Sequence, residues 1–297
     1  MARARVSTGM EIEYETFGSA SDPALLLVMG FTAQLTTWPE EFCTRLAARG
    51  HHVIRYDNRD CGLSTKLDGV QVDTGAVIAG ALAEDGTAPQ VPYTLSDMAA
   101  DAVGLLDHLG IAQAHVAGAS MGGMIAQVMA IEHPRRVRSL ISIMSQSGEP
   151  EFGQPAPEAI SALLAPPPVE RDAYIESSQR WSVWASRKYW DAEEARRRAA
   201  RDYDRSFYPE GASRQLAAIY ASGRRTAGLQ ALRVPTLVIH GADDTLITPS
   251  GGTRTAELID GAHLLMLSDM GHDLPVPLFP VLVDAICSHT RIADGAA

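Results

Sequence analysis

The sequence predicts an α/β fold, in which helices flank a mostly parallel central sheet and a helical insertion interrupts the alternation. Three observations support this prediction. The continuous apolar run at residues 24–29 is typical of a strand buried on both faces, as in a parallel sheet covered by helices, and residues 235–240 (PTLVIH) carry a similar signature. Segments of helical periodicity alternate with the predicted strands, which indicates βαβ units. The alternation stops at about residue 147 and resumes at residue 235, and several amphipathic helices are predicted between these points.

The predicted strands are short segments of alternating or continuous apolar character. The first one alternates strictly, with Met10, Ile12 and Tyr14 on one side and glutamates on the other, which predicts a half-buried strand at a sheet edge. The strands at 24–29 and 235–240 carry the signature of a strand buried on both faces, and the others are predicted only as strands. In chain order the predicted strands cover residues 10–16, 24–29, 52–56, 114–117, 139–144, 235–240 and 263–267.

The predicted helices have apolar positions at helical spacing and recognisable ends. The clearest one begins after Thr94, an N-cap residue with Asp97 three positions further on, and ends at Gly110. Another ends before Pro134, because the residue that precedes a proline disfavours helical backbone. The predicted helices that flank the sheet cover residues 40–49, 95–109, 122–133, 252–258 and 278–289.

Two parts of the chain depart from the alternation. Residues 66–93 are polar and rich in Gly and Asp, and they predict a long loop with a small apolar piece at residues 76–82. Residues 148–231 begin with a proline-rich stretch and continue as amphipathic helices. We therefore expect a core domain formed by residues 1–147 and 232–297, with an inserted helical domain formed by residues 148–231.

Composition excludes several classes of protein. The 297-residue chain has 25 Lys and Arg against 36 Asp and Glu, and its net charge of −11 disfavours binding to nucleic acid or to an anionic membrane surface. No apolar run reaches the roughly 18 residues of a transmembrane helix, and no signal peptide is expected. Cys43, Cys61 and Cys287 form no closely spaced pair, so neither a disulfide framework nor a zinc site is predicted. A cytoplasmic protein without a metal fits these observations.

A candidate nucleophile lies between the predicted strand at 114–117 and the helix that follows it. The sequence there is G-x-S-x-G with Ser120 at its centre, and a sharp turn from strand to helix would hold this serine in a strained conformation. Gly118 and Gly122 avoid collisions with the neighbouring backbone. The helix N-terminus adds N–H groups and a positive dipole end, which suit an oxyanion. The motif predicts that Ser120 is catalytic; the alternative is a passive serine in a glycine-rich turn.

A serine hydroxyl needs a general base, and the chain has nine histidines. His272 is favoured because it follows the predicted strand 263–267, at the carboxyl edge of the sheet where loops build active sites. It also lies near the end of the chain, in the order Ser, Asp, His that this architecture uses. Among the other histidines, His240 is the hardest to exclude as the general base, because it ends a strand.

The acid is expected in the loop that follows the strand at 235–240. Asp244 is favoured by the spacing G-x-x-D, and Asp243 is the alternative. The backbone N–H groups of Phe31, after the first buried strand, and of Met121, after the serine, are the candidate donors to an oxyanion.

These motifs together resemble the α/β-hydrolase family, and the resemblance extends over residues 10–289. It rests on residues 118–123, on Gly241-x-x-Asp244 and on Gly271-His272, in this order. Residues 55–64 (RYDNRDCGLS) are similar to the R-x-D-x-R-D-x-G-x-S loop of a bacterial subgroup that includes methylesterases of aromatic polyketides. The resemblance implies a Ser-His-Asp serine hydrolase that acts on a small apolar carboxylic ester, such as the methyl ester of a polyketide-like aromatic substrate, without a cofactor.

The same resemblance implies that the helical insertion is a cap over the active site. The insertion is rich in aromatic residues, and Trp181 and Trp184 are predicted to line an apolar substrate pocket. The alternative is that these aromatic residues only pack the insertion against the core. Fold and triad do not set the substrate, so a meta-cleavage-type C–C bond hydrolase, a thioesterase or a lactonase stay open. A non-catalytic ligand receptor is a lesser alternative, and the sequence carries no signal for an oligomeric state.

Overall fold

The computed structural model of this chain describes residues 1–82 and 90–295. Its strands form one sheet and are β1 (Ala2–Arg5), β2 (Glu11–Phe17), β3 (Ala24–Val28), β4 (His52–Tyr56), β5 (Ala114–Ala119), β6 (Val137–Ile143), β7 (Thr236–Gly241) and β8 (His263–Leu267). The order in the eight-stranded sheet is β1-β2-β4-β3-β5-β6-β7-β8. The pairs β1–β2 and β2–β4 are antiparallel. All the other neighbouring strands in this order are parallel.

Helices follow most of the strands. They are α1 (Glu40–Ala47), α2 (Thr74–Leu82), α3 (Leu95–His108), α4 (Met121–Glu132), α5 (Pro157–Leu164), α6 (Arg171–Ser177), α7 (Ala192–Arg205), α8 (Gly211–Ala221), α9 (Thr226–Ala231), α10 (Pro249–Leu258) and α11 (Phe279–Gly295). Short 3-10 turns lie at Leu35–Thr37, Pro134–Arg136, Ser178–Val183 and Val276–Leu278. The predicted α/β fold, with a mostly parallel sheet flanked by helices, is confirmed.

Strand β3 is apolar throughout because both of its faces are covered. In β3, Leu26 packs in the core formed with α3 and α4, whereas Leu25 and Leu27 pack on the other face, with α1 and α11. All three side chains are fully buried. A strand that buries both faces has no solvent-facing positions, so its sequence does not alternate.

The predicted position of the first strand was wrong. β2 is not at the edge of the sheet, because β1 pairs with it on the outer side, with Ala4 opposite Ile12. β1 is four residues long and only Ala4 in it is buried, so its sequence carries almost no strand signal. On its other side β2 pairs with β4. Glu13 in β2 is buried, and its carboxylate pairs with Arg3 of β1 at 3.0 Å.

The helix ends follow the local sequence signals. Thr94 and Asp97 form the capping box of α3, with the Thr94 N–H donating to Asp97 Oδ2 at 2.8 Å. Gly110 follows the helix with φ +68°, a left-handed conformation that glycine adopts without strain. By contrast, the loop expected over residues 66–93 contains helix α2, and residues 83–89 lie outside the described part of the chain.

Among the described residues, one segment, Val276–Gly295, is long and apolar enough to cross a membrane. It includes α11, which is longer than the predicted helix at 278–289. The Phe279, Leu282 and Ile286 side chains are fully buried in the core beside the sheet. Packing against the sheet therefore accounts for the apolar composition of this segment.

Helices α5 to α9 lie between β6 and β7, which are neighbours in the sheet. Two buried ion pairs tie these helices to the loop after β4. Arg205, at the end of α7, contacts Asp57 at 2.8 Å, and Arg214 of α8 contacts Asp60 at 2.8 Å. The third charged residue of that loop, Arg59, pairs instead with Asp101 of α3 at 2.6 Å. The charged residues of the 55–64 motif thus hold neighbouring elements together.

Candidate active site

Ser120 lies at the turn between β5 and α4 with φ +57° and ψ −123°, a conformation that is rare for a residue with a side chain. The turn is too tight for side chains at its flanks. A Cβ atom on Gly118 would lie 2.0 Å from the Gly122 carbonyl oxygen, and one on Gly122 would lie 2.1 Å from the Val28 carbonyl oxygen. The two glycines therefore allow the backbone to place Ser120 at the carboxyl end of β5.

His272 lies in the loop after β8, and its side chain reaches Ser120. Its Nε2 atom is 2.9 Å from Ser120 Oγ, which is hydrogen-bond distance. The His272 side chain is 8% exposed, so little solvent competes for the imidazole. The geometry allows Nε2 to take the proton of the serine hydroxyl.

Asp244, and not Asp243, is the carboxylate that the structure brings to this histidine. Asp244 Oδ2 lies 2.7 Å from His272 Nδ1, and Oδ1 accepts hydrogen bonds from the N–H groups of Leu246 and Ile247, both at 2.9 Å. Asp243 is half-buried, and its backbone N–H donates to the Met270 carbonyl oxygen at 2.9 Å. Every lone pair that faces the site on Asp244 therefore has a partner, and its orientation is fixed.

A second histidine, which the sequence left unassigned, also contacts Asp244. His240 is fully buried, and its Nε2 lies 2.8 Å from the Ile247 carbonyl oxygen and 3.4 Å from Asp244 Oδ2. Burial alone would raise the pKa of Asp244, but the attraction of His272 and hydrogen bonds with both histidines lower it to about 2. The carboxylate therefore stays ionised at neutral pH. The available sequence signal was the position of His240, at the end of a buried strand and directly before G-x-x-D.

The two candidate oxyanion donors lie on either side of Ser120. Met121 is the first residue of α4, and Phe31 lies in the loop after β3. In the part of the chain that the structure describes, neither backbone N–H group donates to another protein group. A Cβ atom on Gly30, next to Phe31, would lie 3.0 Å from Ser120 Cβ, so this loop passes directly beside the serine.

The inserted helices contact the loops that carry the histidine and the aspartate. The Trp184 carbonyl oxygen accepts from the His272 N–H at 2.7 Å, and the Val183 carbonyl oxygen accepts from Thr245 Oγ1 at 2.8 Å. The Trp181 ring lies under the guanidinium of Arg198, 4.7 Å from its Cζ atom. Both tryptophans are half-buried. Their role in a substrate pocket stays a prediction.

Comparison with known proteins agrees with the fold. A family described as alpha/beta hydrolase fold matches residues 23–276. The chain is 30% identical to rhodomycin D methylesterase DnrP from Streptomyces peucetius over 302 residues, which cover 94% of each protein. An enol-lactonase structure from Burkholderia xenovorans LB400 matches with a TM-score of 0.74 and 24% identity, over 98% of this chain and 100% of that one.

A meta-cleavage product hydrolase structure from Pseudomonas fluorescens IP01 matches with a TM-score of 0.78 and 18% identity, over 99% of this chain and 98% of that one. At these identities the two structures support the fold alone. The similarity to a methylesterase also agrees with the motif at residues 55–64, which resembles that of aclacinomycin methylesterase. The family and the methylesterase resemblance that the sequence predicted are thus confirmed.

Proposed function

The chain belongs to the α/β-hydrolase family, and from this premise we propose that it is a serine hydrolase of carboxylic esters. The observation that carries the proposal is the unbroken series of contacts from Ser120 Oγ to His272 Nε2 and from His272 Nδ1 to Asp244 Oδ2, at 2.9 and 2.7 Å. This arrangement provides a nucleophile, a general base and a carboxylate that orients the base.

The proposed reaction has two halves. Ser120 Oγ attacks the ester carbonyl carbon while His272 takes the hydroxyl proton, and the carbonyl oxygen becomes an oxyanion facing the N–H groups of Phe31 and Met121. His272 then gives the proton to the leaving alcohol, which leaves an acyl group on Ser120. Water attacks this acyl-enzyme by the same route and releases the acid. Asp244 accepts a hydrogen bond from His272 Nδ1–H and stabilises the imidazolium that forms.

We propose a methyl ester of a polyketide-like aromatic molecule as the substrate class. The support is the 30% identity to rhodomycin D methylesterase over 94% of both chains. Residues 148–231 would act as a cap over Ser120, on a core formed by residues 1–147 and 232–297. The contact of Trp184 with the backbone of His272 supports this position for the cap, and it makes Trp184 the better of the two tryptophan candidates for the pocket.

A cytoplasmic location is also proposed. It rests on the three cysteines, Cys43, Cys61 and Cys287, which are all free and buried. Free thiols of this kind suit a reducing compartment.

The test is a substrate panel assayed with the purified protein and with Ser120→Ala. The panel contains aromatic methyl esters, other aryl esters, thioesters, lactones and a vinylogous diketone of the meta-cleavage type. We expect the esters to be preferred, and Ser120→Ala to lower kcat by a factor on the order of 10³–10⁶, because triad members act as a unit.

Two results would contradict the proposal. A Ser120→Ala variant that keeps more than about a tenth of the activity would remove the serine from the mechanism. A clear preference for the thioester, the lactone or the C–C bond would keep the triad and replace the proposed substrate class.

A further inference from the structure

We propose that Gln215, on the inserted helix α8, is a positioning residue that holds the oxyanion loop in its active shape. The loop consists of residues 29–34, which follow β3 and carry the Phe31 N–H. The proposal rests on the function proposed above and goes beyond it, since it assigns part of the oxyanion site to a side chain of the insertion. Gln215 itself is far from these residues in sequence and touches no atom of the triad.

Gln215 is fully buried and both ends of its amide are used. Its Oε1 atom accepts a hydrogen bond from the Thr32 N–H at 2.8 Å, and its Nε2 atom donates to the Arg59 carbonyl oxygen at 2.9 Å. The side-chain amide of Gln215 thus binds one backbone N–H group and one backbone carbonyl group, which lie on two different loops of the core. A buried amide that is satisfied on both sides has a fixed position and can fix its partners.

Thr32 needs such a partner because its backbone is strained. Its φ is +56°, in the left-handed region that residues with a β-branched side chain rarely adopt. A residue persists in this region only where its surroundings determine the conformation. At Thr32, Gln215 holds the N–H, and Cys61 Sγ donates to the carbonyl oxygen at 3.3 Å.

The conformation of Thr32 matters for Phe31, because the two residues are adjacent. If the Thr32 N–H were released, φ of Thr32 could relax, and the turn that the Ala33 N–H closes on the Gly30 carbonyl oxygen, at 3.3 Å, could open. The Gly30–Phe31 peptide, which carries the Phe31 N–H, would then turn. On the other side of Phe31 the loop is already fixed. Asn58 Nδ2 donates to the Met29 carbonyl oxygen at 2.8 Å, and Gly30 lies against Ser120. Gln215 therefore completes a clamp on both sides of the proposed oxyanion donor.

This role predicts a particular kinetic effect. An oxyanion forms only in the tetrahedral state, so a misdirected N–H group weakens transition-state binding and leaves substrate binding nearly unchanged. A residue that only docked the insertion on the core would act differently, because its loss would loosen substrate contacts and the fold together.

The test compares Gln215→Met with two other variants. Methionine has a similar length and removes both amide groups. For an ester substrate we expect kcat to fall by about 10- to 100-fold with KM changed by less than about threefold. An aryl trifluoromethyl ketone, whose carbonyl forms a tetrahedral adduct with Ser120 Oγ, should bind more weakly by a similar factor. The matching methyl ketone, which stays planar, should bind as it does to the unaltered protein.

Gln215→Glu is the rescue variant, because one carboxyl oxygen can still accept from the Thr32 N–H and the other, when protonated, can donate to the Arg59 carbonyl oxygen. We expect it to recover most of the preference for the trifluoromethyl ketone. Arg214→Lys is the matched control. Arg214 is the neighbouring residue on α8 and binds Asp60 at 2.8 and 2.9 Å, but it does not contact the oxyanion loop. This variant should lower the melting temperature and keep the ratio of the two ketone affinities.

If Gln215→Met fails to fold, Gln215→Asn takes its place, because asparagine keeps an amide but is one methylene too short to reach Thr32. The proposal is overturned if the variant that folds keeps the normal ratio of ketone affinities, or if Arg214→Lys reduces that ratio to the same extent. An unaltered protein that neither hydrolyses esters nor forms the ketone adduct would instead overturn the proposed function, and this inference with it.

Discussion

Asp244 shows how one residue acquires its chemistry from its neighbours. A carboxyl group in the protein interior ordinarily binds its proton more tightly, because burial disfavours the charge. Here the attraction of His272 and hydrogen bonds with His240 and His272 outweigh the effect of burial, and the pKa of Asp244 falls to about 2. An ionised Asp244 can then orient His272 and stabilise its imidazolium at neutral pH.

The pair Asp244→Asn and Asp243→Asn tests this assignment. An amide at residue 244 would present the wrong group to His272 Nδ1 and favour the wrong tautomer, so kcat should fall by about 10⁴-fold. Asp243 lies next in the chain but contributes only a backbone hydrogen bond to this loop, so its variant should lose far less activity. Steady-state kinetics on one ester checks both variants. Equal losses, or the greater loss in Asp243→Asn, would assign the acid to Asp243.

At the residue scale, the sequence could predict side chains that local motifs identify. Ser120, Asp244 and His272 each follow a strand and a glycine, at the edge where a parallel sheet gathers its loops, and the structure brings them together. His240 and Gln215 carry no such motif. Gln215 meets Thr32 across 183 residues, and only the packing of the insertion reveals that contact.

At the scale of elements, the loop that carries His272 is joined to the segment after the 3-10 turn Ser178–Val183. The Gly271 N–H donates to Ser186 Oγ at 2.9 Å, and Ser186 donates from both its N–H and its hydroxyl to Asp273 Oδ1. Gly271 has no room for a side chain, since a Cβ atom there would lie 2.4 Å from the Trp184 carbonyl oxygen. Burial raises the pKa of Asp273, and the hydrogen bonds from Ser186 oppose that effect. The position of the histidine therefore depends on the insertion.

Ser186→Ala tests this dependence. The change removes one hydroxyl, leaves the Gly271 N–H without its acceptor and takes one donor from half-buried Asp273, so the free energy of unfolding should fall by about 1–3 kcal/mol. The activity on esters should also fall, because His272 loses its fixed position. Thermal melts and kcat measure the two effects.

Lys188→Met is the control for Ser186→Ala, since Lys188 lies on the same segment and pairs with Asp269 at the surface, with both side chains about half exposed. An exposed pair of this kind contributes less than about 1 kcal/mol. Equal effects of the two substitutions on stability and on kcat would show that Ser186 does not position the histidine loop.

Two elements were not predicted from the sequence, and each omission has a physical reason. β1 (Ala2–Arg5) is short, and β2 covers one of its edges, so it forms by pairing with β2 rather than by its own apolar pattern. α2 (Thr74–Leu82) is apolar but lies in a stretch rich in Gly and Asp, which favours a loop prediction. It packs against α8, where the Thr74 hydroxyl donates to the Ser213 carbonyl oxygen at 3.4 Å, and tertiary packing of this kind overrides local preference.

At the scale of the whole molecule, the sheet buries a histidine far from the active site. His115 in β5 is fully buried, with Nδ1 2.9 Å from Ser139 Oγ and the His51 ring at a centroid distance of 6.2 Å. Asp294 and Arg138 are the charged groups beside it. Burial lowers the pKa of His115 to about 4, the attraction of Asp294 opposes this effect, and the repulsion of His51 adds to it.

This buried histidine predicts that acid weakens the fold. In the unfolded chain a histidine has a pKa near 6.5, so below about pH 6.5 the unfolded state binds a proton that folded His115 takes up only near pH 4. The stabilisation is therefore complete above pH 6.5 and is lost as the pH falls towards 4, by about 3 kcal/mol. Protonation of Asp244 adds a separate loss of stability at lower pH, between the pKa of an aspartate in the unfolded chain and about 2, its pKa in the folded protein.

Denaturant unfolding between pH 7.5 and pH 4.5 measures this loss, with His115→Gln as the test variant and exposed His108→Gln as the control. Glutamine keeps a polar group near Ser139 but takes up no proton, so its free energy of unfolding should decline less over this range than that of the unaltered protein. His108→Gln should keep the full decline, because His108 is exposed at the end of α3 and lies outside the buried group around His115. The prediction is contradicted if His115→Gln and the unaltered protein have the same slope. In that case the remaining buried histidines, and His51 first among them, since burial also lowers its pKa, would have to account for the acid sensitivity.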